Sequence, residues 1–87
     1  PVVEEIREPI VDIFKEKDNL VIIAEIPGVA ENTIKIEVKN DILILEAGEE
    51  GHLQYRKEIS LPYSVNSKTS KKSYKNGVLN LEFKPGK

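Results

Sequence analysis

The chain has 87 residues, with 13 basic and 15 acidic side chains, one histidine and no cysteine, for a formal net charge of −2. That balance excludes the basic excess of a dedicated nucleic-acid binder, and the lack of cysteine excludes disulfides and thiolate metal sites. A hydrophobic content of 39% beside 32% charge describes one small folded domain, near the size at which a single core is marginal, and not a disordered tail.

No apolar run approaches membrane-spanning length and no signal peptide is visible, so a cytoplasmic location without a membrane partner is expected. The chain opens at Pro1 without a methionine, which reads as a piece of a longer protein. Residues 2–8, VVEEIRE, have a helix-like composition but stop at Pro9, so 1–8 are read as an N-terminal arm or linker and 9–87 as the domain.

Turn signals divide the rest: Lys17-Asp18-Asn19, Pro27-Gly28, Asn40-Asp41, Gly48 to Gly51, Leu61-Pro62 and Asn76-Gly77. Between them lie segments rich in Ile, Val and Leu, which predict strands at 10–15, 19–26, 33–39, 42–47, 53–60, 68–75 and 78–84. The fold class is therefore all-β, an immunoglobulin-like β-sandwich of about seven antiparallel strands in two sheets.

The second segment, NLVIIAEI, is apolar on both faces, which predicts a central strand or one covered by another segment. The third, TIKIEVK, alternates: Ile34, Ile36 and Val38 point one way, Lys35, Glu37 and Lys39 the other. The fourth puts Leu43, Leu45 and Ala47 on one face, with Ile42 and Ile44 opposite, where association with another chain would remove them from water. In the fifth, Leu53, Tyr55, Lys57, Ile59 and Leu61 share a face. A lysine amid apolar neighbours cannot sit unpaired in a core, because burying its charge is costly. Either its stem packs while its ammonium reaches the rim, or it lies at a chain-chain contact and pairs with a carboxylate. The sixth segment, SKTSKKSYK, reads as a lysine-protected edge strand in preference to a site for an acidic partner. The seventh fills the core with Leu79, Leu81 and Phe83, and Asn76-Gly77 joins it to the sixth as a tight hairpin.

Nothing in the pattern marks an enzyme. His52 lies in a polar turn without a nucleophile motif, Glu49 and Glu50 read as solvated turn carboxylates, and no phosphate-binding glycine loop is present. No cofactor and no metal are expected.

Four stretches in order, PIVDIFKEKD, VIIAEIPGV with TIKIEVKNDILILEA, YRKEISLP and NGVLNLEFKP, make the chain resemble the α-crystallin domain of the small heat-shock proteins, from about Arg7 to Lys87. The resemblance implies an ATP-independent chaperone, a holdase that binds unfolded or destabilised proteins and limits their aggregation. It also implies a groove between the third and sixth strands that takes the C-terminal Ile-x-Ile tail of another subunit. By position that groove is lined by Ile34, Ile36, Val38, Thr69 and Lys71, and a dimer contact along the 53–60 strand involves Tyr55, Lys57 and Ile59.

Three departures from the family pattern stand out. Lys57 replaces the usual arginine, which weakens any bidentate pairing with a carboxylate. Lys72 replaces the usual alanine, so that strand must turn Lys72 to solvent or pack more loosely. Only GEEGH separates Ala47 from Leu53, too short for the long loop that swaps a strand onto a partner in bacterial and plant members. With no Ile-x-Ile before Lys87, this chain is expected to be a monomer or dimer, and the full-length protein a larger oligomer. The alternative function is a CS-domain-type co-chaperone adaptor for a native partner.

Overall fold

Alternating apolar and polar side chains pair into two antiparallel sheets whose apolar faces meet. The computed structural model describes residues 5–86. Its strands are β1 (Ile10–Lys15), β2 (Leu20–Glu25), β3 (Lys35–Lys39), β4 (Ile42–Glu49), β5 (His52–Ser60), β6 (Val65–Lys75) and β7 (Val78–Pro85), with a single 3₁₀ turn at Glu31–Thr33. Every strand expected from the sequence is present. The third starts later because Thr33 closes the 3₁₀ turn, and the sixth starts earlier, at Val65. One sheet runs β1-β2-β7-β6 and the other β3-β4-β5.

The core is built from matched rows. On the four-stranded sheet Leu20 pairs with Phe83, Ile22 with Leu81 and Ala24 with Leu79, and all six are buried. Facing them, Leu43, Leu45 and Ala47 of β4 are fully buried beside Tyr55 and Ile59 of β5. Each such large side chain contributes roughly 1.5–3 kcal/mol when fully buried. β2 is an interior strand, which explains its apolar residues on both faces: Val21 on the outer face is also buried and Ile23 half-buried.

Several turns, and one bulge, rely on positive-φ backbone that few residues adopt. At the β6–β7 hairpin Asn76 has φ 53° and Gly77 φ 79°, the pair of positive values that a primed two-residue turn requires. Gly48, with φ 131°, forms a bulge in the β4–β5 ladder, where the register slips between Ala47↔Tyr55 and Gly48↔Leu53. A Cβ at Gly48 would lie 2.6 Å from the Gln54 amide nitrogen and 2.8 Å from the His52 carbonyl.

The Pro27-Gly28 loop carries the chain from one sheet to the other, and two tyrosines hold it. Tyr55 donates its hydroxyl to the Pro27 carbonyl at 2.8 Å. Tyr74 donates to the Ile26 carbonyl at 2.9 Å, with the Val29 carbonyl also within reach at 3.1 Å. The Ile26 amide donates to the Gly77 carbonyl at 2.8 Å, so this loop and the Asn-Gly hairpin brace each other.

Of the arm expected at 1–8, residues 1–4 lie outside the described residues. Arg7 forms a single parallel bridge to Tyr55. Its amide donates to the Gln54 carbonyl at 2.9 Å and its carbonyl accepts from the Arg56 amide at 3.0 Å. The arm therefore covers part of the open edge of β5.

Candidate functional site: a groove between two sheet edges

β3 and β6 are the edge strands of their respective sheets. Between them opens a groove of about 370 Å³. Ile34, Ile36 and Val38 form one wall, and Leu81 and Phe83 form the floor. Ser67, Ser70 and Lys72 of β6 form the other wall. Ile36 and Val38 are half-buried, so their apolar surface is part of the groove and not sealed in the core. An edge strand with unpaired main-chain groups beside apolar pockets is suited to an added extended segment: backbone pairing supplies affinity, and pockets for alternate side chains supply selectivity.

The sequence placed Ile34, Ile36 and Val38 on the wall where they lie. It also placed Thr69 and Lys71 in the groove, and the structure puts both elsewhere. They line a separate recess with Asp18, Asn19 and Glu82 on the other side of the sheet. The reason is parity. Strict alternation from the buried Val65 carries Thr69 and Lys71 inward. The ladder, however, passes from Asn66↔Lys84 to Lys71↔Glu82, so β6 advances five residues while β7 advances two. The odd surplus reverses the facing of everything after it. Lys71 then pairs with the outward Glu82, whereas Lys72 pairs with the buried Leu81 and Tyr74 with the buried Leu79.

Thr69 holds this bulge. Its hydroxyl donates to the Asn66 carbonyl at 2.6 Å and accepts from the Lys84 amide at 3.0 Å. The Asn66 side-chain oxygen accepts from the Lys68 amide at 3.0 Å. The signal was present in VNSKTS, a run of Asn, Ser and Thr that bonds its own backbone and favours turns over ladders. Lys72, expected either to turn to solvent or to loosen the strand, lies on the inner face of its sheet and is exposed because it lies at the open groove.

Tyr55, Lys57 and Ile59, expected at a dimer contact, face inward opposite Ala47, Leu45 and Leu43. Tyr55 and Ile59 are buried in the core. The half-buried Lys57 packs its stem on this face and reaches the rim, where its Nζ donates to the Pro9 carbonyl at 3.4 Å. Arg56 and Glu58 are among the residues of β5 that face outward. Arg56 meets Glu58 at 3.0 Å and Glu46 at 3.2 Å. These two carboxylates, Glu58 first, raise the guanidinium pKa above its ordinary value, so the group stays charged.

A second cavity, of about 380 Å³, lies between the Pro27-Gly28 loop and the β4–β5 turn and includes Thr33, Glu49 and His52. Among the described residues no three His, Cys, Asp or Glu side chains converge as a metal site, and no helix is long and apolar enough to cross a membrane.

Two antiparallel sheets in this strand order, with an apolar groove between their free edges, define an α-crystallin-type β-sandwich. Residues 17–83 match the family model described as the HSP20-like domain found in ArsA. A probable 15 kDa heat shock protein of Leptospira interrogans is 32% identical over 89 residues, spanning 87% of this chain and 68% of that protein. Among solved structures, the Del-C4 mutant of hsp14.1 from Sulfolobus solfataricus superposes with a TM-score of 0.79 at 25% identity, covering 90% of this chain and 75% of that one. Heat shock protein 16.0 from Schizosaccharomyces pombe reaches a TM-score of 0.79 at 17% identity over 94% of this chain and 69% of its own, a likeness of fold. The chain belongs to the HSP20-like, small heat-shock protein family, and its function is chaperone-like in kind.

Proposed function

We propose that this chain is an ATP-independent holdase domain that binds partly unfolded proteins in the cytoplasm. We assign the groove between β3 and β6 to an extended apolar segment, such as the C-terminal tail of another subunit. One observation carries the reading: Ile36 and Val38 stay half-exposed on an edge strand, directly over the buried Leu81 and Phe83. A side chain entering there gains apolar contact without opening the core. A second apolar surface, suited to looser contact with clients, lies on the outer face of the four-stranded sheet, where Ile10 is 65% and Phe14 48% exposed.

Self-association is assigned to the free main-chain groups of the β5 edge in place of the Tyr55, Lys57 and Ile59 side chains, because those three serve the core. The arm at Arg7 occupies part of that edge, so a monomer–dimer equilibrium is expected for this chain.

The test is heat-induced aggregation of an unrelated enzyme, followed by light scattering without ATP. The chain should delay aggregation, and Val38→Glu should weaken the delay while leaving the melting temperature within a few degrees. No delay from the chain or from the longer protein that carries it would overturn the holdase reading.

One observation favours a second reading. The matched family model describes a domain found within another protein, ArsA. On that reading the domain is an adaptor for a native partner, of the CS-domain type. Binding of one folded partner at fixed stoichiometry, without suppression of client aggregation, would decide for it.

A further inference from the structure

Lys72 is the one charged side chain among the residues that line the groove; the others are apolar or serine. Its register opposite Leu81 fixes it on the inner face of the sheet, beside the surface an incoming segment would cover. The strands that frame the groove add Lys68 and Lys75 on β6 and Lys35 and Lys39 on β3, against a single acid, Glu37, while Lys71 faces the other side of the sheet beside Glu82. The potential over the groove is therefore positive, with its nearest source inside the site.

An uncharged apolar segment laid over Lys72 would strip water from the ammonium and return nothing. A segment bearing Asp or Glu beside its apolar residues would return a paired charge in the same place. The lysine thus penalises neutral and basic segments and spares acidic ones, which is selection by unfavourable alternatives as much as by attraction. We infer that the β3–β6 groove is selective for an extended segment of another polypeptide that alternates apolar side chains with carboxylates, and that Lys72 is the residue that sets this selectivity.

The inference rests on the groove being a docking site, and the test separates the two. Two fluorescently labelled peptides, Ser-Glu-Ile-Glu-Ile-Glu-Ser and Ser-Gln-Ile-Gln-Ile-Gln-Ser, are titrated with the chain at about 50 mM salt, where charge is weakly screened, and followed by anisotropy. The Glu peptide should bind about fivefold more tightly, the scale of one ion pair. The preference should vanish in Lys72→Ala, with the Gln peptide binding at least as well as before. It should persist in Lys75→Ala, because Lys75 pairs with Val78 and lies outside the groove lining. Equal binding of the two peptides to the chain overturns the selectivity and leaves the groove reading intact. A preference that survives in Lys72→Ala overturns the assignment to Lys72 and places its source on the surrounding lysines. Binding of neither peptide overturns both.

Discussion

Alanine at Gly48 and alanine at Gly51 are the same chemical change three residues apart, and the structure separates their costs. Both glycines adopt positive φ, 131° and 82° respectively, where a Cβ introduces strain. At Gly51 a Cβ would meet nothing within 4 Å. Only the dihedral strain applies there, about 1 kcal/mol. At Gly48 the same Cβ would press on the Gln54 nitrogen at 2.6 Å, the His52 oxygen at 2.8 Å and the Leu53 Cα at 3.0 Å. All three are backbone atoms, so no side chain can swing away. Relief requires opening the β4–β5 ladder at its bulge and pulling the Gly48 amide from the Thr33 hydroxyl, which it meets at 3.2 Å. Adding this to a φ that alanine rarely adopts gives about 3 kcal/mol or more for Gly48→Ala. For a domain of this size that corresponds to a fall in melting temperature of about 15 °C, against about 5 °C for Gly51→Ala. Denaturant unfolding of both variants at unchanged m-value would measure the difference. If Gly48→Ala costs no more than Gly51→Ala, the bulge is not held against β5 as described.

Tyr74→Phe removes the hydroxyl that ties β6 to the loop between the sheets, and should cost about 1 kcal/mol, read as a lower denaturation midpoint. Thr69→Val deletes both hydrogen bonds that the Thr69 hydroxyl makes at the β6 bulge. It should speed hydrogen exchange at the Lys84 amide, while Thr69→Ser restores protection; unchanged exchange in Thr69→Val would show that the bulge does not depend on the hydroxyl. Arg7→Pro removes the amide that bonds the Gln54 carbonyl, freeing the β5 edge. Light scattering should then show more dimer at a given concentration, and an unchanged mass distribution would assign self-association to another surface.

The fold was legible because its two signals act locally. Asn76-Gly77 and Asn40-Asp41 tolerate positive φ without help from the rest of the molecule, and TIKIEVK alternates whether or not a partner strand is present. The groove came from the family resemblance and not from the pattern; of its implied residues Ile34, Ile36 and Val38 follow a regular strand and line it, whereas Thr69 and Lys71 follow a strand whose count is broken. Period two assigns a face only until a bulge, and the three surplus residues of β6 reversed it between Asn66 and Lys71. For β5 the pattern grouped Tyr55, Lys57 and Ile59 correctly on one face, but grouping does not say what covers that face. The intervening lysine left two readings, a packed stem with its ammonium at the rim or a contact with another chain, and the structure has the first, with the Pro9 carbonyl at the rim. The Arg7 bridge left no trace in the sequence, because one residue paired through its backbone has no periodicity.

The β4–β5 connection is a turn of two residues, Glu50 and Gly51. A strand exchanged between subunits makes folding and assembly one event, because each subunit lacks part of its sheet until the other arrives. Here each described strand finds its partners within one chain, so folding can run to completion before any encounter. On the self-association proposed above, assembly would then be a separate equilibrium added to a finished unit. Subunits associating in that way would part and rejoin on heating or dilution while each sandwich stays intact, and loss of assembly would not signal loss of structure.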